Sequence, residues 1–211
     1  MTRIAIIDYG MGNIHSVQKA LESLGAETIV TARPEDIKKS QKLVLPGVGA
    51  FDDAVAELKK QGLFDALIDE IKNKKIFLGI CLGMQLLFKK SQEAVKANGL
   101  GILDGEVKRF DKKMNIKVPH MGWNQLKKVA GRRSQVAGEC PLLKGIPDGA
   151  YVYFCHSYYP EPKNKDMICA TTNYGGDFAA VVWQGNVYGT QFHPEKSQEI
   201  GLRILKNFIC L

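Results

Sequence analysis

Cysteine and histidine are scarce in this chain of 211 residues, and their spacing excludes several kinds of site. The five cysteines are an odd number and form no C-x-x-C pair, which argues against a disulfide framework and against a structural zinc site. The four histidines include no H-x-x-x-H pair. We therefore expect reduced thiols in a cytoplasmic protein that binds no metal.

Long apolar runs and nucleotide-binding motifs are also missing. The longest apolar stretch, residues 76–88, is interrupted by Gln85, whereas a membrane-spanning helix needs about 20 apolar residues. The first strand pattern reaches Asp8 after too few apolar residues for a signal peptide. Neither G-x-G-x-x-G nor the P-loop lysine occurs, and no repeat or linker divides the sequence. These absences favour one soluble domain over residues 1–211 with no cofactor of its own.

Positive charge exceeds negative charge, since 29 Lys and Arg against 22 Asp and Glu give +7. The basic residues cluster at positions 72–75, 108–117 and 127–133. Such clusters can bind nucleic acid or another anionic partner, but these have neither an interleaved aromatic pattern nor that of a basic recognition helix. The sequence therefore favours a solvated surface that binds no nucleic acid and no membrane. The sequence leaves open whether the basic surface contacts an acidic face of a protein partner.

Apolar runs that alternate with helical patterns predict the fold of the first half. Strand patterns at residues 3–8, 27–30, 42–45 and 76–80 are each followed by a helical pattern. Asn13 is a candidate cap for the first helix, and another helix should begin near Leu82. This alternation predicts an α/β fold with a doubly wound, mostly parallel sheet of flavodoxin-like form, with sites at the carboxyl ends of its strands.

The second half has strand patterns joined by turn-rich segments. They occur at residues 106–110, 151–155, 167–172, 178–183 and 187–192, and residues 198–209 form a closing helical pattern. Without intervening helices, these strands are expected to be antiparallel additions to the sheet.

Residues 79–83 (GICLG) have the form of a nucleophile elbow with Cys81 in the place of serine. A nucleophile on a tight strand-to-helix turn brings backbone segments close together, so the positions two before and two after it must be small. The N-terminus of the following helix favours a thiolate. The alternative is a structural cysteine buried between two packing glycines.

A cysteine nucleophile needs a base, and the four histidines compete for that role. His15 lies in the predicted first helix, where it is a surface residue or core filler. His120 follows a proline, while His156 and His193 each end a strand pattern. Only His193 has a carboxylate at short spacing, and Glu195 can hydrogen-bond the ring nitrogen that faces away from the cysteine. Alone, His-Pro-Glu is more often a turn.

A glycine-containing loop, LPGVGAF, follows the third strand pattern. Backbone N–H groups of Gly47, Val48 and Gly49 can stabilise an oxyanion there, with the N–H of Leu82 as a second donor. A phosphate cradle is the alternative. The loop DYGMGN at residues 8–13 ends the first strand and can line the same rim.

Together these segments resemble the class I, or triad, glutamine amidotransferases. The motifs DYGMGN, PGVGAF, GICLGMQLLF, PHMGWN and QFHPEKS occur in the expected order over nearly the whole chain. Within the family the motifs are most similar to those of the glutaminase subunits of imidazole glycerol phosphate synthases. PHMGWN and PGVG distinguish these subunits from other triad amidotransferases. Residues 89–104 and 131–148 are less typical. The resemblance implies that the chain hydrolyses L-glutamine to L-glutamate and ammonia.

The resemblance also implies roles for individual residues. Cys81 is then the nucleophile, His193 the acid and base, and Glu195 its orienter. Substrate contacts are implied at Gly49, Gln85, Glu93, Ser157 and Tyr158, with Glu93 pairing with the ammonium group. Contacts with a partner are implied at Asn13, Trp123 and Lys196. That partner would be a cyclase subunit with a (β/α)8 barrel, which forms a heterodimer with this chain and receives its ammonia in histidine biosynthesis.

Two other functions stay open at this point. The chain can supply ammonia to a related synthase that amidates a surface sugar, because both partners could use the same docking face. It can instead be a non-catalytic, flavodoxin-like module that uses its glycine loops for a phosphate or a flavin. The second alternative leaves Cys81, His193 and Glu195 without a role, and the intact triad also disfavours an inactive subunit.

Overall fold

A computed structural model describes residues 3–111, 116–129 and 139–211. In chain order, its strands and α-helices are β1 (Arg3–Ile7), α1 (Ile14–Ser23), β2 (Glu27–Thr31), α2 (Pro34–Lys39), β3 (Lys42–Gly47), α3 (Phe51–Lys60), α4 (Leu63–Lys72), β4 (Ile76–Cys81), α5 (Leu82–Gln85), β5 (Phe88–Ser91), β6 (Leu103–Arg109), β7 (His120–Gln125), β8 (Lys127–Lys128), β9 (Tyr151–His156), β10 (Tyr158–Pro162), β11 (Ile168–Asn173), β12 (Asp177–Gln184), β13 (Val187–Thr190) and α6 (Gln198–Ile209).

The main sheet confirms the predicted α/β fold. Over the described ranges its eight strands have the order β2-β1-β3-β4-β13-β12-β11-β8. The first five strands in that order are parallel, and β12, β11 and β8 are antiparallel additions. Alternate residues of β1 enter two cores, since Ile4 and Ile6 pack on one face and Ala5 and Ile7 on the other. A sheet covered on both faces explains why β3 is buried along its whole length.

Two of the predicted additions lie outside the main sheet. The pattern at residues 106–110 falls in β6, which pairs with β10 and β5 in a separate three-stranded sheet. The pattern at residues 151–155 falls in β9, which pairs with β7 in a two-stranded sheet. The prediction that they extend the main sheet was therefore wrong. A strand's own alternation shows which face is buried but does not name its neighbour.

The helices differ from the sequence predictions at two points. The helix after β4 begins at Leu82 as predicted but is a single turn, so it has little of a long helix's dipole. Asn13 occupies the N-cap position of α1 without a capping side-chain hydrogen bond, because its backbone (φ −86°, ψ 57°) is not extended as a cap requires. No helix within the described part of the chain is long and apolar enough to span a membrane.

The predicted basic clusters are partly compensated by carboxylates. Three of their lysines form ion pairs: Lys75 with Glu70, Lys108 with Glu161 and Lys128 with Glu139. The segments 112–115 and 130–138, which contain other members of the clusters and part of the less typical stretch 131–148, lie outside the described residues. Lys75 is mostly buried in its contacts, whereas the local pairing of the more exposed Lys108 and Lys128 favours the solvated-surface interpretation.

Candidate active site

The strand β4 ends in a strained turn at Cys81, whose backbone has φ 54° and ψ −109°. A positive φ in a residue other than glycine costs about 1–3 kcal/mol and is typical of functional sites. The flanking glycines permit this turn. A Cβ on Gly79 would lie 2.5 Å from the carbonyl oxygen of Gly83, and a Cβ on Gly83 would collide with the carbonyl group of Leu45 in β3. The pentapeptide therefore has the tight geometry of an elbow.

His193 and Glu195 lie on the turn after β13, with side chains only 3% and 1% exposed. Pro194 begins a short 3-10 turn that brings Glu195 back toward the histidine, so that Nδ1 of His193 is 2.9 Å from Oε1 of Glu195. The backbone is anchored as well, since the hydroxyl of Ser197 donates to the His193 carbonyl at 2.6 Å. The ring is thus fixed by the side chain that the sequence predicted.

Cys81 lies beside the His193 ring and acts on its pKa, and the Cys81 thiol also donates to the carbonyl oxygen of Cys155 over 3.8 Å. Burial alone would lower the pKa of His193, but the interactions with Cys81, followed by those with Glu195, outweigh burial and raise the pKa to about 10. The imidazolium form of His193 is therefore favoured. The structure brings together all three predicted catalytic residues.

The glycine loop lies beside the elbow because Gly47 of β3 is opposite Cys81 of β4 in the parallel register. Gly47 is packed from behind, where an added Cβ would lie 2.5 Å from the Tyr9 hydroxyl. Gly49 has φ 104°, a conformation that favours glycine. Val48, Gly49 and Leu82 line the same cleft as Cys81, whereas Gly47 is not part of its wall.

The cleft over Cys81 has a volume of about 250 Å³. All five predicted substrate contacts line it, namely Gly49, Gln85, Glu93, Ser157 and Tyr158. Burial raises the pKa of Glu93, the N–H of Phe51 that donates to its Oε2 at 3.1 Å lowers it, and Asp52 and Asp53 raise it further. The cleft is large enough for a small amino acid that brings an ammonium group to Glu93.

Sequence reasoning missed several residues of this site. Pro119, Cys155 and His156 also line the cleft. The side-chain amide of Gln191 donates from Nε2 to Sγ of Cys81 over 3.6 Å. The signal for Gln191 was its place in QFHPEKS, two residues before the histidine, but the motif alone does not say that its side chain reaches the sulfur.

The predicted partner contacts lie around the turn that carries His193. Trp123 is 46% exposed, and its ring centroid is 6.1 Å from that of Tyr153. Nζ of Lys196 lies 5.9 Å from the same tyrosine ring. Asn13 precedes α1, which packs against the Pro194–Lys196 turn. Exposed Met121 and Tyr151 extend the apolar surface of the β7–β9 sheet.

Comparison with known proteins extends over nearly the whole chain. The family described as Glutamine amidotransferase class-I matches residues 5–210. The imidazole glycerol phosphate synthase subunit HisH of Geobacter sulfurreducens is 48% identical over 213 residues, which covers 99% of this chain and 98% of the relative. The protein of the same name from Bacillus cytotoxicus is 50% identical over 205 residues, covering 97% and 93%.

A solved structure supports the same fold at much lower identity. The crystal structure of a glutamine amidotransferase aligns with a TM-score of 0.74 and 18% identity, covering 98% of this chain and 99% of that one. This likeness concerns the fold alone.

Proposed function

This chain belongs to the class-I glutamine amidotransferases, and we propose that it is the glutaminase subunit of an imidazole glycerol phosphate synthase in histidine biosynthesis. One observation carries the chemistry: Cys81 on a strained elbow lies beside His193 and raises its pKa, and Nδ1 of His193 is 2.9 Å from the buried Glu195. The similarity to subunits of imidazole glycerol phosphate synthases supports the pathway.

In this proposal, glutamine binds with its side-chain amide over Cys81 and its ammonium group at Glu93. The thiolate attacks the amide carbon, and backbone N–H groups of Leu82 and of the loop at Val48 and Gly49 hold the resulting oxyanion. His193 protonates the departing nitrogen, so ammonia leaves and a γ-glutamyl thioester remains. The neutral ring then takes a proton from the water that hydrolyses the thioester to glutamate.

The ammonia is delivered to a cyclase with a (β/α)8 barrel without reaching bulk solvent. There it is incorporated into a phosphoribulosyl formimino-carboxamide nucleotide, which gives imidazole glycerol phosphate and an aminoimidazole carboxamide ribonucleotide. Loss of one oxyanion donor lowers the rate about 10²–10³-fold. A glycine loop that is misaligned in the isolated subunit would therefore keep hydrolysis slow until the cyclase and its nucleotide bind.

Glutamate release from glutamine tests the nucleophile. Cys81→Ala should abolish it, whereas Cys210→Ala, at the exposed end of α6, should retain the wild-type rate. Glutamate release by Cys81→Ala would overturn the assignment of the nucleophile.

Assays with and without the cyclase and its nucleotide test the partner. We expect faster turnover with both present, and equal turnover would remove the proposed activation. Binding of the barrel of a sugar-amidating synthase, but not of the cyclase, would favour the alternative pathway. If acidic groups of the cyclase face the basic surface, affinity should also fall as salt is added.

A further inference from the structure

Two histidines that the proposed mechanism does not use lie buried side by side, and one of them, His156, forms part of the cleft wall. His120 and His156 are 3% and 5% exposed and face each other in the register of β7 and β9. Nδ1 of His120 is 3.0 Å from Nε2 of His156. Tyr174 and Phe154 stack on the two faces of the His120 ring, with centroids at 4.0 and 4.8 Å. Only the ring nitrogens of His120 are left for polar contacts.

The contact of His156 with the Tyr158 carbonyl determines which nitrogens of the two rings carry protons. Nδ1 of His156 is 2.8 Å from the carbonyl oxygen of Tyr158, and a carbonyl only accepts, so Nδ1 carries the proton. Burial lowers the pKa of His156 to about 3 and that of His120 to about 4, so both rings are neutral. Nε2 of His156 must then accept from Nδ1 of His120, which leaves Nε2 of His120 as an acceptor.

Contacts at the outer end of the pair independently require the same direction of hydrogen bonding. Asn124 donates from Nδ2 to the carbonyl oxygen of Asn173 at 3.0 Å, and its Oδ1 accepts from the N–H of Gln125 at 2.8 Å. This orientation turns the amide nitrogen of Asn124 toward Nε2 of His120, at 3.2 Å. Both ends therefore require neutral histidines with the proton on Nδ1.

The hydrogen bonds continue from the Tyr158 carbonyl to the sulfur. That carbonyl also accepts from Nε2 of Gln85 at 2.8 Å, and the same amide nitrogen lies 3.2 Å from Oε1 of Gln191. With its oxygen engaged there, Gln191 turns Nε2 toward Sγ of Cys81. We call this chain of hydrogen bonds the relay; its members are Asn124, His120, His156, the Tyr158 carbonyl, Gln85, Gln191 and Cys81.

We propose that His120 and His156 are positioning residues for the glutaminase reaction: as neutral rings they hold the Tyr158 carbonyl, and through it the two glutamine amides, so that an N–H points at the sulfur of Cys81. An N–H donated to the sulfur stabilises the attacking thiolate. The inference rests on the proposed function only in taking Cys81 as the nucleophile. The relay begins on β7, the strand whose exposed face carries Trp123.

A matched pair of variants separates hydrogen bonding from packing. His156→Phe keeps an aromatic ring and removes both nitrogens, whereas His156→Asn keeps an N–H near the position of Nδ1. Phe178→Leu is the packing control, because the Phe178 ring packs 5.1 Å from that of His156 but forms none of the hydrogen bonds of the relay.

The readout is the alkylation of Cys81 by iodoacetamide relative to exposed Cys210 in the same molecule, measured on their separate peptides, together with kcat and KM for glutamine. His156→Phe should lower the Cys81-to-Cys210 ratio and kcat about tenfold, the size of one hydrogen bond to a charged group. His156→Asn should restore most of both, and Phe178→Leu should leave the ratio within about twofold of wild type.

Three results would overturn the proposal. One is a folded His156→Phe with a wild-type ratio. Another is an equal loss in His156→Phe and His156→Asn, which would assign the effect to packing. If His156→Phe does not fold, Asn124→Leu at the half-buried outer end carries the test, and an unchanged ratio there overturns the relay. Glutamate release by Cys81→Ala would instead overturn the proposed function, while the alkylation ratio would still test the relay.

Discussion

The two buried neutral histidines should make the free energy of unfolding fall in mild acid. Burial lowers the pKa of His156 to about 3 and that of His120 to about 4, and the positive charges of His120 and His193 would further oppose a charge on His156. In the unfolded chain both pKa values are about 6.5. As the pH falls below about 6.5, the unfolded chain binds two protons that the native chain does not, so stability is lost.

The size of this loss follows from the proton balance. Each such histidine changes the free energy of unfolding by about 1.4 kcal/mol per pH unit where only the unfolded chain is protonated. Integration from about pH 7 to about pH 5 gives roughly 1.9 kcal/mol per histidine, or roughly 4 kcal/mol for the pair. Solvent screening at the His120 end lowers the expected total to about 3 kcal/mol. This is a large share of a typical stability of about 5–15 kcal/mol.

Urea unfolding at pH 7 and pH 5, followed by tryptophan fluorescence, measures the effect. The wild-type midpoint should fall by about 1 M, given a slope of about 2–3 kcal/mol per M. His193 partly offsets this loss, because its raised pKa, about 10, keeps it protonated in the native chain while the unfolded chain takes up most of its own proton between about pH 7 and about pH 5. The offset is roughly 0.8 kcal/mol, and the stability that His193 adds is lost as the pH rises from about 6.5 to about 10.

Two comparisons isolate the buried pair. His156→Asn should halve the loss, and His15→Gln, on the exposed face of α1, should leave it unchanged. Equal wild-type midpoints at the two pH values, or an undiminished loss in His156→Asn, would refute the assignment of neutral rings.

Three further substitutions test single contacts. Gly83→Ala should lower the free energy of unfolding by about 3 kcal/mol and abolish glutamate release, because its Cβ would collide with the carbonyl group of Leu45; wild-type melting and activity would contradict this packing. Tyr9→Phe should raise the free energy of unfolding by roughly 1 kcal/mol, and with it the urea midpoint, since the buried hydroxyl has no hydrogen-bond partner among the described residues; a lower midpoint would disprove that. Lys42→Met should cost about 2 kcal/mol on the same assay, because Nζ donates to two backbone carbonyls at the end of α6, at 3.0 and 2.6 Å; an unchanged midpoint would show that these bonds add nothing.

Local pattern was sufficient to predict the parallel half of the fold. Continuous apolar runs identify β3 and β4 as strands covered on both faces, and the helical patterns between strands force a parallel order. The partners of β6 and β9 could not be predicted, since pairing depends on segments distant in sequence. The length of α5 was equally hidden, because apolar residues 76–88 cross a strand, one helical turn and the start of β5 without a change in composition.

The residues of the site also divide into those that short spacing predicts and those that it does not. Cys81 is recognised from glycines two positions away on each side, and His193 from a carboxylate two positions on, so short spacing was enough. His120 and His156 are 36 positions apart, and Gln191 is 110 positions from the sulfur that it contacts. The sequence suggested these histidines only as competing bases. Their neutral, buried state is a property of the aromatic side chains packed around them, which no local motif records.

The pKa values of His193 and His156 shift in opposite directions, which in the proposed mechanism confines proton transfer to the ring of His193. Both side chains are buried, but His193 faces Cys81 and a carboxylate, whereas His156 faces a carbonyl and a neutral ring. A charged His193 also disfavours a second positive charge at His156. In the proposed mechanism, the proton needed by departing ammonia is therefore held beside the sulfur, while the neutral relay can orient amides without competing for it. A relay built on carboxylates would lack this property, because each would attract a proton or a cation into the core.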